Sequence, residues 1–290
     1  MTELWSAAYD LHVHSAPDVV KRRFSDIELA KRYQAAGMKG YAIKNHQLCT
    51  AGRAALIREM FPGFSAIGTV TLNNAMGGLN PMAVEMAGRM GAKICWFPTV
   101  DSKNEYDFLN RNQDAPQPYG AVADNQTLKR ERISIFDGEK IKPVVYDILE
   151  ILKAHDMVLA TGHLSPKESL ALIKAASERK LEKMVVTHCD YPATFMPVEM
   201  QKECARYGAF IEHNYLQIAT GESSWELALS EINAIGPEHT IVSSDGGQIT
   251  SIPPDEAIMA WCRKLAETGY PEREIRRIVS ENTAFLAESI

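Results

Sequence analysis

Short apolar runs alternate with longer amphipathic segments along most of the chain. A short apolar run bounded by turn residues is the pattern of a strand that is buried on both faces. A segment with helical spacing follows each run, so the pattern predicts repeated strand–helix units. The predicted strands lie at about residues 8–14, 40–46, 64–72, 93–99, 157–163, 183–188, 209–214 and 240–245.

Capping signals mark several of the predicted helix starts. Ser25–Glu28 and Ser165–Glu168 match the capping box, in which a hydroxyl and a carboxylate bind the free amides of the first turn. Thr50 and Asn80 are expected to cap the second and third helices. Gly37 is expected to end the first helix, since glycine accepts the left-handed backbone found there.

Eight strand–helix units in 290 residues predict an α/β protein with the (β/α)8 TIM barrel fold. We expect one domain over residues 1–290. An open doubly wound sheet is the competing arrangement. It is less favoured because no GxGxxG motif follows the first predicted strand.

One stretch, about 101–141, interrupts the alternation after the fourth strand. It is polar, and Asp137-Gly138 between β-forming residues predicts a hairpin near its end. A loop of this length within a compact domain usually has a function. We therefore expect an insertion that acts as a lid or as a subunit contact.

The composition is that of an ordinary soluble globular protein, with 46% hydrophobic and 23% charged residues. The net charge of −6 gives no reason to expect a nucleic acid or an anionic membrane as partner. No secretory signal or membrane-length apolar run is recognisable. Five scattered cysteines, with Cys189 expected to be a buried structural thiol, indicate a reducing compartment. We expect a cytoplasmic protein with a small-molecule substrate, and a homo-oligomer is possible.

The first strand ends in a His-x-His pair. His12 and His14 lie on the same face of an extended strand because alternate side chains point the same way. Neutral imidazole is the commonest metal ligand in proteins. Two such residues also occur on strands that bind no metal, so the interpretation depends on the other strand ends.

Polar residues recur at the carboxyl ends of the other predicted strands. In a (β/α)8 barrel these ends meet at one face, which is where active sites of this fold lie. Histidines that were scattered through a core would not favour strand ends so consistently. The sequence therefore predicts a metal site built from residues within this set: His12, His14, Lys44, His46, Asn73, Thr99, His163, His188, Glu212, His213 and Asp245.

This pattern resembles the amidohydrolase superfamily, whose metal site uses an HxH pair on the first strand, one histidine each on the fifth and sixth strands, and an aspartate on the eighth. The segments IKNH, LNNAMGGLNP and FPTVDS are similar to a little-characterised branch of predicted metal-dependent hydrolases. The resemblance implies a metal-dependent hydrolase. The matching positions are His12, His14, His163, His188 and Asp245.

The sequence departs from the binuclear members of that superfamily at the fourth strand. They carry a carboxylated lysine or a glutamate there as a bridge between two metals, and this chain has Thr99. Lys44 ends the second strand on the same face as His46. Lys44 is thus a candidate bridge as a carbamate, a candidate substrate-binding amine, or a structural residue. His46 is a candidate ligand or a neighbour of the ligands, and one or two metal ions remain compatible with the set.

Nitrogen and carboxylate ligands suit Zn²⁺, with Mn²⁺ or Fe²⁺ as alternatives. A bound divalent ion lowers the pKa of its water to about 7. The match to the family aspartate implies that Asp245 is the base that takes a proton from this water. The other interpretation of Asp245 is a helix cap before Gly246-Gly247. His188 or a metal would polarise the carbonyl, and Lys44 completes the candidate catalytic set.

Substrate contacts are predicted from four further residues. Arg22 and Arg23 follow the HxH pair and could bind a carboxylate or phosphate as a fork, although a solvated basic turn is the alternative. Asn73 is a candidate donor to a substrate amide or anion. Only one residue of Glu212-His213 can face the site, and His213 is the candidate for substrate contact.

The leading hypothesis is hydrolysis of a C–N or C–O bond in a small carboxylated amide, cyclic amide or lactone. A phosphoesterase is an alternative, since the HxH with His46 is similar to the polymerase-and-histidinol-phosphatase family. That family ends its second strand in Asp-His and needs a final Asp-x-His, where this chain has Asn45-His46 and Asp245-Gly-Gly. A non-hydrolytic decarboxylase and a small-molecule-binding protein are further alternatives.

Overall fold

A computed structural model describes residues 3–112, 114 and 130–288 of the chain. Eight of its strands form a single parallel sheet, and the other two form a hairpin. The strands are β1 (Tyr9–His14), β2 (Gly40–Lys44), β3 (Ser65–Thr71), β4 (Ala92–Trp96), β5 (Phe136–Asp137), β6 (Lys140–Ile141), β7 (Val158–Ala160), β8 (Met184–Val186), β9 (Phe210–Asn214) and β10 (Thr240–Ser243).

The sheet curls into a barrel whose last strand meets its first. The strand order follows the chain, from β1 to β4 and then from β7 to β10. The amide of Asp245 donates to the carbonyl of His12 at 2.9 Å, and the amide of His14 donates to the carbonyl of Gly246 at 2.9 Å. These bonds join the two ends of the sheet, so the predicted (β/α)8 barrel is confirmed.

Helices connect the strands and cover the outside of the barrel. The carboxyl-terminal helical segment is divided by a π-helical turn over Arg277–Glu281. The helices are α1 (Asp26–Ala35), α2 (Ala51–Met60), α3 (Pro81–Arg89), α4 (Lys103–Arg111), α5 (Pro143–Ala154), α6 (Pro166–Glu178), α7 (Val198–Arg206), α8 (Tyr215–Thr220), α9 (Trp225–Ile235), α10 (Pro254–Glu267), α11 (Glu272–Arg276) and α12 (Asn282–Ala287).

The insertion after β4 is more regular than its sequence suggested. Its first part is helix α4, which begins where the hydroxyl of Ser102 accepts from the amide of Glu105 at 2.9 Å. The prediction of an irregular stretch was therefore wrong for residues 103–111. The predicted hairpin is confirmed, because β5 and β6 pair in antiparallel fashion. Residues 113 and 115–129 of the predicted lid lie outside the described residues.

Most of the predicted helix caps are confirmed. Both capping boxes, Ser25–Glu28 and Ser165–Glu168, have their reciprocal hydrogen bonds, and the side chain of Asn80 accepts from the amides of its helix. Thr50 is the exception. Its hydroxyl donates to the carbonyl of Ile43 at 2.6 Å, because it is buried against the sheet and does not face the start of its helix.

An apolar core fills the barrel beneath its carboxyl-terminal face. It combines inward-facing residues of the strands, such as Leu11 and Trp96, with Leu286 of α12. Two larger apolar clusters fill the space between the barrel and its helices. This apolar core packs directly beneath the polar side chains at the strand ends and supports them. Within the described ranges, no helix has the length and apolar character needed to cross a membrane.

Candidate active site

A cavity of about 820 Å³ opens at the carboxyl ends of the strands. Its floor is made of ionisable residues from the strand ends, and one wall comes from the segments that follow β9 and β10. The described residues that line it are His14, Lys44, His46, His163, His188, Tyr191, Leu216, Gln217, Ala219, Thr220, Gly221, Glu222, Asp245, Gln248, Thr250, Ser251 and Ile252.

Two imidazoles and a carboxylate converge at this floor. Asp245 Oδ1 lies 3.1 Å from His12 Nε2 and 3.4 Å from His14 Nε2. Burial alone would raise the pKa of Asp245, but the charge and hydrogen bonds of His12 and the hydrogen bond of His14 lower it well below its usual range. An ionised carboxylate with two imidazoles within 4.8 Å of one another is a donor set for a divalent metal ion.

The histidines that follow β7 and β8 complete the group. The His188 ring lies 4.9 Å from that of His12 and 5.2 Å from that of His163, measured between centroids. His188 Nε2 is 3.9 Å from Asp245 Oδ2. His163 Nε2 is buried and has no hydrogen-bond partner among the described residues. A buried nitrogen without a partner is costly, and a metal ion would satisfy it.

Carboxylates hold two of these rings from behind. His12 Nδ1 lies 3.2 Å from Glu212 Oε1, and His163 Nδ1 lies 3.1 Å from Glu105 Oε2. Metal-ligating histidines commonly donate their second ring N–H to a carboxylate, which fixes the tautomer and directs the other nitrogen to the metal. The partners and the donor set together fit a divalent metal ion.

Two of the three candidate ligands that follow a strand have unusual backbones. His188 has φ of 55° and Asp245 has φ of 47°. Few residues other than glycine adopt this left-handed region, although Asp and His are enriched among those that do. Such conformations persist where the surrounding structure over-determines them, and they cluster at functional sites.

Lys44 lies among the donors. Its Nζ is 2.6 Å from His12 Nε2 and 5.2 Å from the centre of the Trp96 ring. The side chain is fully buried, and burial lowers the pKa of Lys44 to about 8. The amine therefore lies where a metal ion bound to His12 would have it as a neighbour.

His46 lines the cavity beside His14. The two rings stack with centroids 4.8 Å apart, and His46 Nδ1 lies 2.8 Å from the hydroxyl of Thr99. Burial, followed by the charge of the neighbouring His14, lowers the pKa of His46 well below its usual range. His46 is thus a neutral imidazole, and Thr99 positions it.

The arginines predicted to bind substrate do not line the cavity. The guanidinium of Arg22 lies behind His14, with Nη2 3.2 Å from His14 Nδ1 and Nε 2.5 Å from Asp18 Oδ2. Arg23 is exposed and donates to the backbone carbonyl of Ser251. Arg23 contacts Ser251, which does line the cavity, and the predicted contact of both arginines with substrate stays a prediction.

Asn73 and His213 are also placed away from the cavity. The side-chain amide of Asn73 donates to the carbonyl of His46 at 2.9 Å and to Thr99 Oγ1 at 2.7 Å, so it supports the floor from outside. Glu212 faces the barrel interior, where it meets His12, and His213 therefore points to the opposite side of β9. Neither residue is among the described residues that line the cavity, so their predicted contact with substrate stays a prediction without support from the cavity lining.

Some residues of the site carried no recognisable signal in the sequence. Glu105 lies in the insertion, and its Oε1 also accepts from the hydroxyl of Tyr191 at 3.0 Å. Gln217 Nε2 lies 3.4 Å from Asp245 Oδ2. Glu105, Tyr191 and Gln217 each follow a barrel strand by several residues. They lie in segments where no sequence pattern indicates which side chain turns inward.

Solved structures with a similar fold include several hydrolases. An amidohydrolase from Pseudomonas aeruginosa matches with a TM-score of 0.62 and 13% identity, over 98% of this chain and 96% of that one. The organophosphorus hydrolase from Deinococcus radiodurans matches with a TM-score of 0.59 and 14% identity, over 99% and 94%. An organophosphate hydrolase engineered from a weak promiscuous lactonase template matches with a TM-score of 0.56 and 14% identity, over 99% and 97%.

At this level of identity the similarity establishes the fold, and it agrees with the barrel that the resemblance to the amidohydrolase superfamily implied. No curated protein matches the chain. Residues 7–212 match the profile of a family described as "Family of unknown function (DUF6282)". That match spans β1 to β9 and includes the HxH pair, so the chain belongs to DUF6282, a family of unknown function.

Proposed function

We propose that this protein is a metal-dependent hydrolase of the amidohydrolase type, which cleaves a C–N or C–O bond in a small molecule. The observation that carries the proposal is the convergence of four imidazoles and Asp245 at the floor of the cavity. His12, His14, His163 and His188 come from three strand ends, and Asp245 follows the last strand. Zn²⁺ suits these donors, with Mn²⁺ or Fe²⁺ as alternatives.

Two residues of the floor, Asp245 and His188, have catalytic roles in this proposal. A bound divalent ion supplies a hydroxide-like water at neutral pH and polarises a carbonyl. Asp245 stays ionised, so it can take the proton of the attacking water and pass it to the leaving group. His188 faces Asp245 and can help to hold the scissile carbonyl.

The cavity wall favours uncharged substrates. Among the described lining residues, Lys44 is the one lysine or arginine, and it is buried at the floor. The wall offers amides and hydroxyls, such as those of Gln217, Gln248 and Thr250. These groups pair well with the polar atoms of a lactone or cyclic amide. A carboxylated amide would depend on Lys44 to balance the negative charge of its carboxylate.

Phosphoester hydrolysis is the second candidate, because two of the similar structures are named for organophosphate or organophosphorus hydrolysis. The third strand argues against the polymerase-and-histidinol-phosphatase arrangement. Its end carries Asn73, which has no acidic group to bind a metal and turns away from the cavity. Decarboxylation and simple binding are the remaining alternatives, and the same experiment separates them.

The test is a substrate panel assayed on the protein loaded with Zn²⁺, Mn²⁺ or Fe²⁺. The panel contains lactones, cyclic amides, linear amides with and without a carboxylate, phosphotriesters and aromatic acids. We expect turnover of a lactone or amide, and we expect Asp245→Asn to remove it while circular dichroism remains unchanged. Glu85→Gln, far from the cavity, is the matched carboxylate control and should retain turnover.

Several results would contradict the proposal. Turnover of phosphotriesters alone, or of aromatic acids alone, would assign a different chemistry to the same floor. A protein that binds no divalent metal after gentle purification and reconstitution would favour a binding role. Full activity in Asp245→Asn would remove Asp245 as the base.

A further inference from the structure

A second group of metal-ligating side chains lies behind the rim of the barrel, and the proposed hydrolase site does not use it. Cys189 follows β8, His213 is on β9 and Glu231 is on α9, and all three are buried. Cys189 Sγ lies 3.6 Å from His213 Nδ1 and 3.9 Å from Glu231 Oε2. His213 Nδ1 is 3.9 Å from Glu231 Oε2.

A fourth side chain, Asp190, joins the group. Its Oδ2 lies 3.5 Å from His213 Nδ1 and accepts from the hydroxyl of Ser223 at 3.0 Å. The carboxylate is 1% exposed, and its Oδ1 has no hydrogen-bond partner among the described residues. A buried oxygen of this kind requires a partner.

The charges in the group are unbalanced. Asp190 and Glu231 are two carboxylates with a thiol beside them, and in the described part of the chain His213 is the one basic side chain within ion-pair distance of either. Burial of uncompensated negative charge is expensive. A divalent cation would balance it, and two carboxylates, a thiolate and an imidazole form a ligand set that Zn²⁺ accepts.

We propose that Cys189, His213 and Glu231 bind a structural Zn²⁺ ion, and that the neighbouring Asp190 turns toward it as the fourth ligand. Tetrahedral zinc with bonds of about 2.0–2.3 Å separates its ligand atoms by about 3.3–3.8 Å. The observed separations of 3.5–3.9 Å are close to that range. The ligand atoms of Cys189, His213 and Glu231 lie within 4.8 Å of one another, so small side-chain adjustments bring these three to bonding distance of one ion. Asp190, which neighbours His213, has to turn toward them to complete the set.

The position of this ion explains what it does. His188 and Cys189 are adjacent and face opposite sides, and so are Glu212 and His213. The first residue of each pair, His188 or Glu212, belongs to the candidate active site at the cavity floor, which we call the rim site. The second residue, Cys189 or His213, binds the structural zinc. The ion therefore fixes the backbone that carries His188 and the carboxylate that orients His12.

A neutral thiol is the alternative interpretation of Cys189. Its Sγ lies 3.4 Å from the carbonyl of Glu212, to which a thiol would donate. That bond satisfies the sulfur and leaves Asp190 Oδ1 without a partner. Because buried zinc sites form as the chain folds, burial of the cluster is no obstacle to metal uptake.

X-ray absorption at the zinc edge tests the proposal. The rim site offers nitrogen and oxygen donors, so a sulfur atom at about 2.3 Å from zinc can come only from a cysteine site. We expect the full-length protein refolded with Zn²⁺ to show one sulfur neighbour per chain, which averages to less than one sulfur per zinc when the rim site is also loaded. Cys189→Ala should lose that sulfur and one zinc equivalent per chain. Cys95→Ala, another buried cysteine, is the matched control and should lose neither.

A second variant keeps the test decisive if Cys189→Ala does not fold. The double variant His12→Ala/His14→Ala lacks the HxH ligands, and we expect it to retain one zinc with the sulfur neighbour. Zinc-loaded wild-type protein without sulfur scattering would overturn the proposal, as would a sulfur signal that survives in folded Cys189→Ala. Because the readout is sulfur coordination, failure of the hydrolase proposal would not affect it.

Discussion

Glu105 Oε2 lies 3.1 Å from His163 Nδ1, so a carboxylate on helix α4 determines which nitrogen of His163 faces the cavity. The carboxylate is fully buried, and its other oxygen accepts from Tyr191. The insertion after β4 thus contributes to the site through its first helix. Glu105 does not reach the reacting atoms in this arrangement, and it acts as a positioning residue.

Replacement of Glu105 by Gln should weaken metal binding. The variant keeps the shape of the side chain but loses the charge that holds His163 in the required tautomer. We expect the Kd for Zn²⁺ at the rim to rise about 10–100-fold. The measurement is a competition titration against a chelator of known affinity.

Glu85→Gln is the matched control for this titration. Glu85 also pairs with a histidine, His155, at 2.9 Å, but it lies on the outer helix α3. We expect its Kd for zinc to equal that of the wild type. Equal losses in the two variants, or none in Glu105→Gln, would show that Glu105 does not orient a metal ligand.

The role of Lys44 can be decided by counting rim metals. If Lys44 bridges two ions as a carbamate, Lys44→Ala should bind one ion fewer than the wild type, and Lys44→Glu should restore it by supplying a carboxylate. The count is made by metal analysis in a Cys189→Ala background, so that only rim ions contribute. Unchanged metal content with a raised KM in Lys44→Ala would indicate a substrate-binding amine.

The positions of the candidate metal ligands could be predicted because strand ends are marked locally in the sequence. His12 and His14 end an apolar run, and Asp245 ends another, so the periodicity alone assigns them to strand ends. The (β/α)8 fold then brings those ends together. Residues whose position follows from strand register and chain order were therefore predicted without any tertiary information.

The contacts around the floor depend on tertiary geometry. Glu212 and His213 are adjacent, and only the register of β9 decides which one faces His12. Arg22 follows the HxH pair closely in sequence, but the ion pair with Asp18 turns it behind His14. Glu105 lies on a helix that the polar composition of the insertion concealed. No sequence pattern determines these orientations.

A partly buried Arg–Asp fork near the start of the barrel should be sensitive to a conservative change. Arg53 Nε lies 2.8 Å from Asp26 Oδ2, and its Nη2 lies 2.8 Å from Asp26 Oδ1 and 3.0 Å from the carbonyl of Ser15. Lysine cannot form this bidentate pair. We expect Arg53→Lys to lower the free energy of unfolding by about 1–3 kcal/mol, measured by urea denaturation.

Arg89→Lys provides the comparison for that measurement. Arg89 pairs with Glu85 one turn away on α3, and its side chain is 68% exposed. A solvated pair of this kind contributes little to stability, so we expect a loss below about 0.5 kcal/mol. Similar losses of unfolding free energy in the two variants would mean that the Arg53–Asp26 fork contributes no more to stability than an exposed ion pair.

The pH dependence of stability should reveal the ion pairs of Asp156 at the amino-terminal end of β7. Asp156 Oδ2 lies 2.9 Å from Lys183 Nζ and 3.2 Å from Lys93 Nζ. Burial would raise the pKa of Asp156, but the hydrogen bonds and charges of the two lysines lower it overall. A carboxyl whose pKa is lower in the folded state stabilises the protein above its unfolded pKa, and this contribution disappears as the pH falls through the folded pKa.

Asp156→Asn isolates this charge. Asp156 has φ of 50°, and asparagine tolerates this left-handed backbone, so the turn is retained. The side chain is 44% exposed, and solvent screening limits the expected loss at pH 7 to about 0.5–1 kcal/mol. Urea denaturation should show the wild type and the variant converging as the pH falls below about 4, where the carboxyl becomes protonated. A difference that stays constant from pH 7 to pH 3 would have to come from packing or from the turn, because a protonated Asp156 and an asparagine carry the same charge.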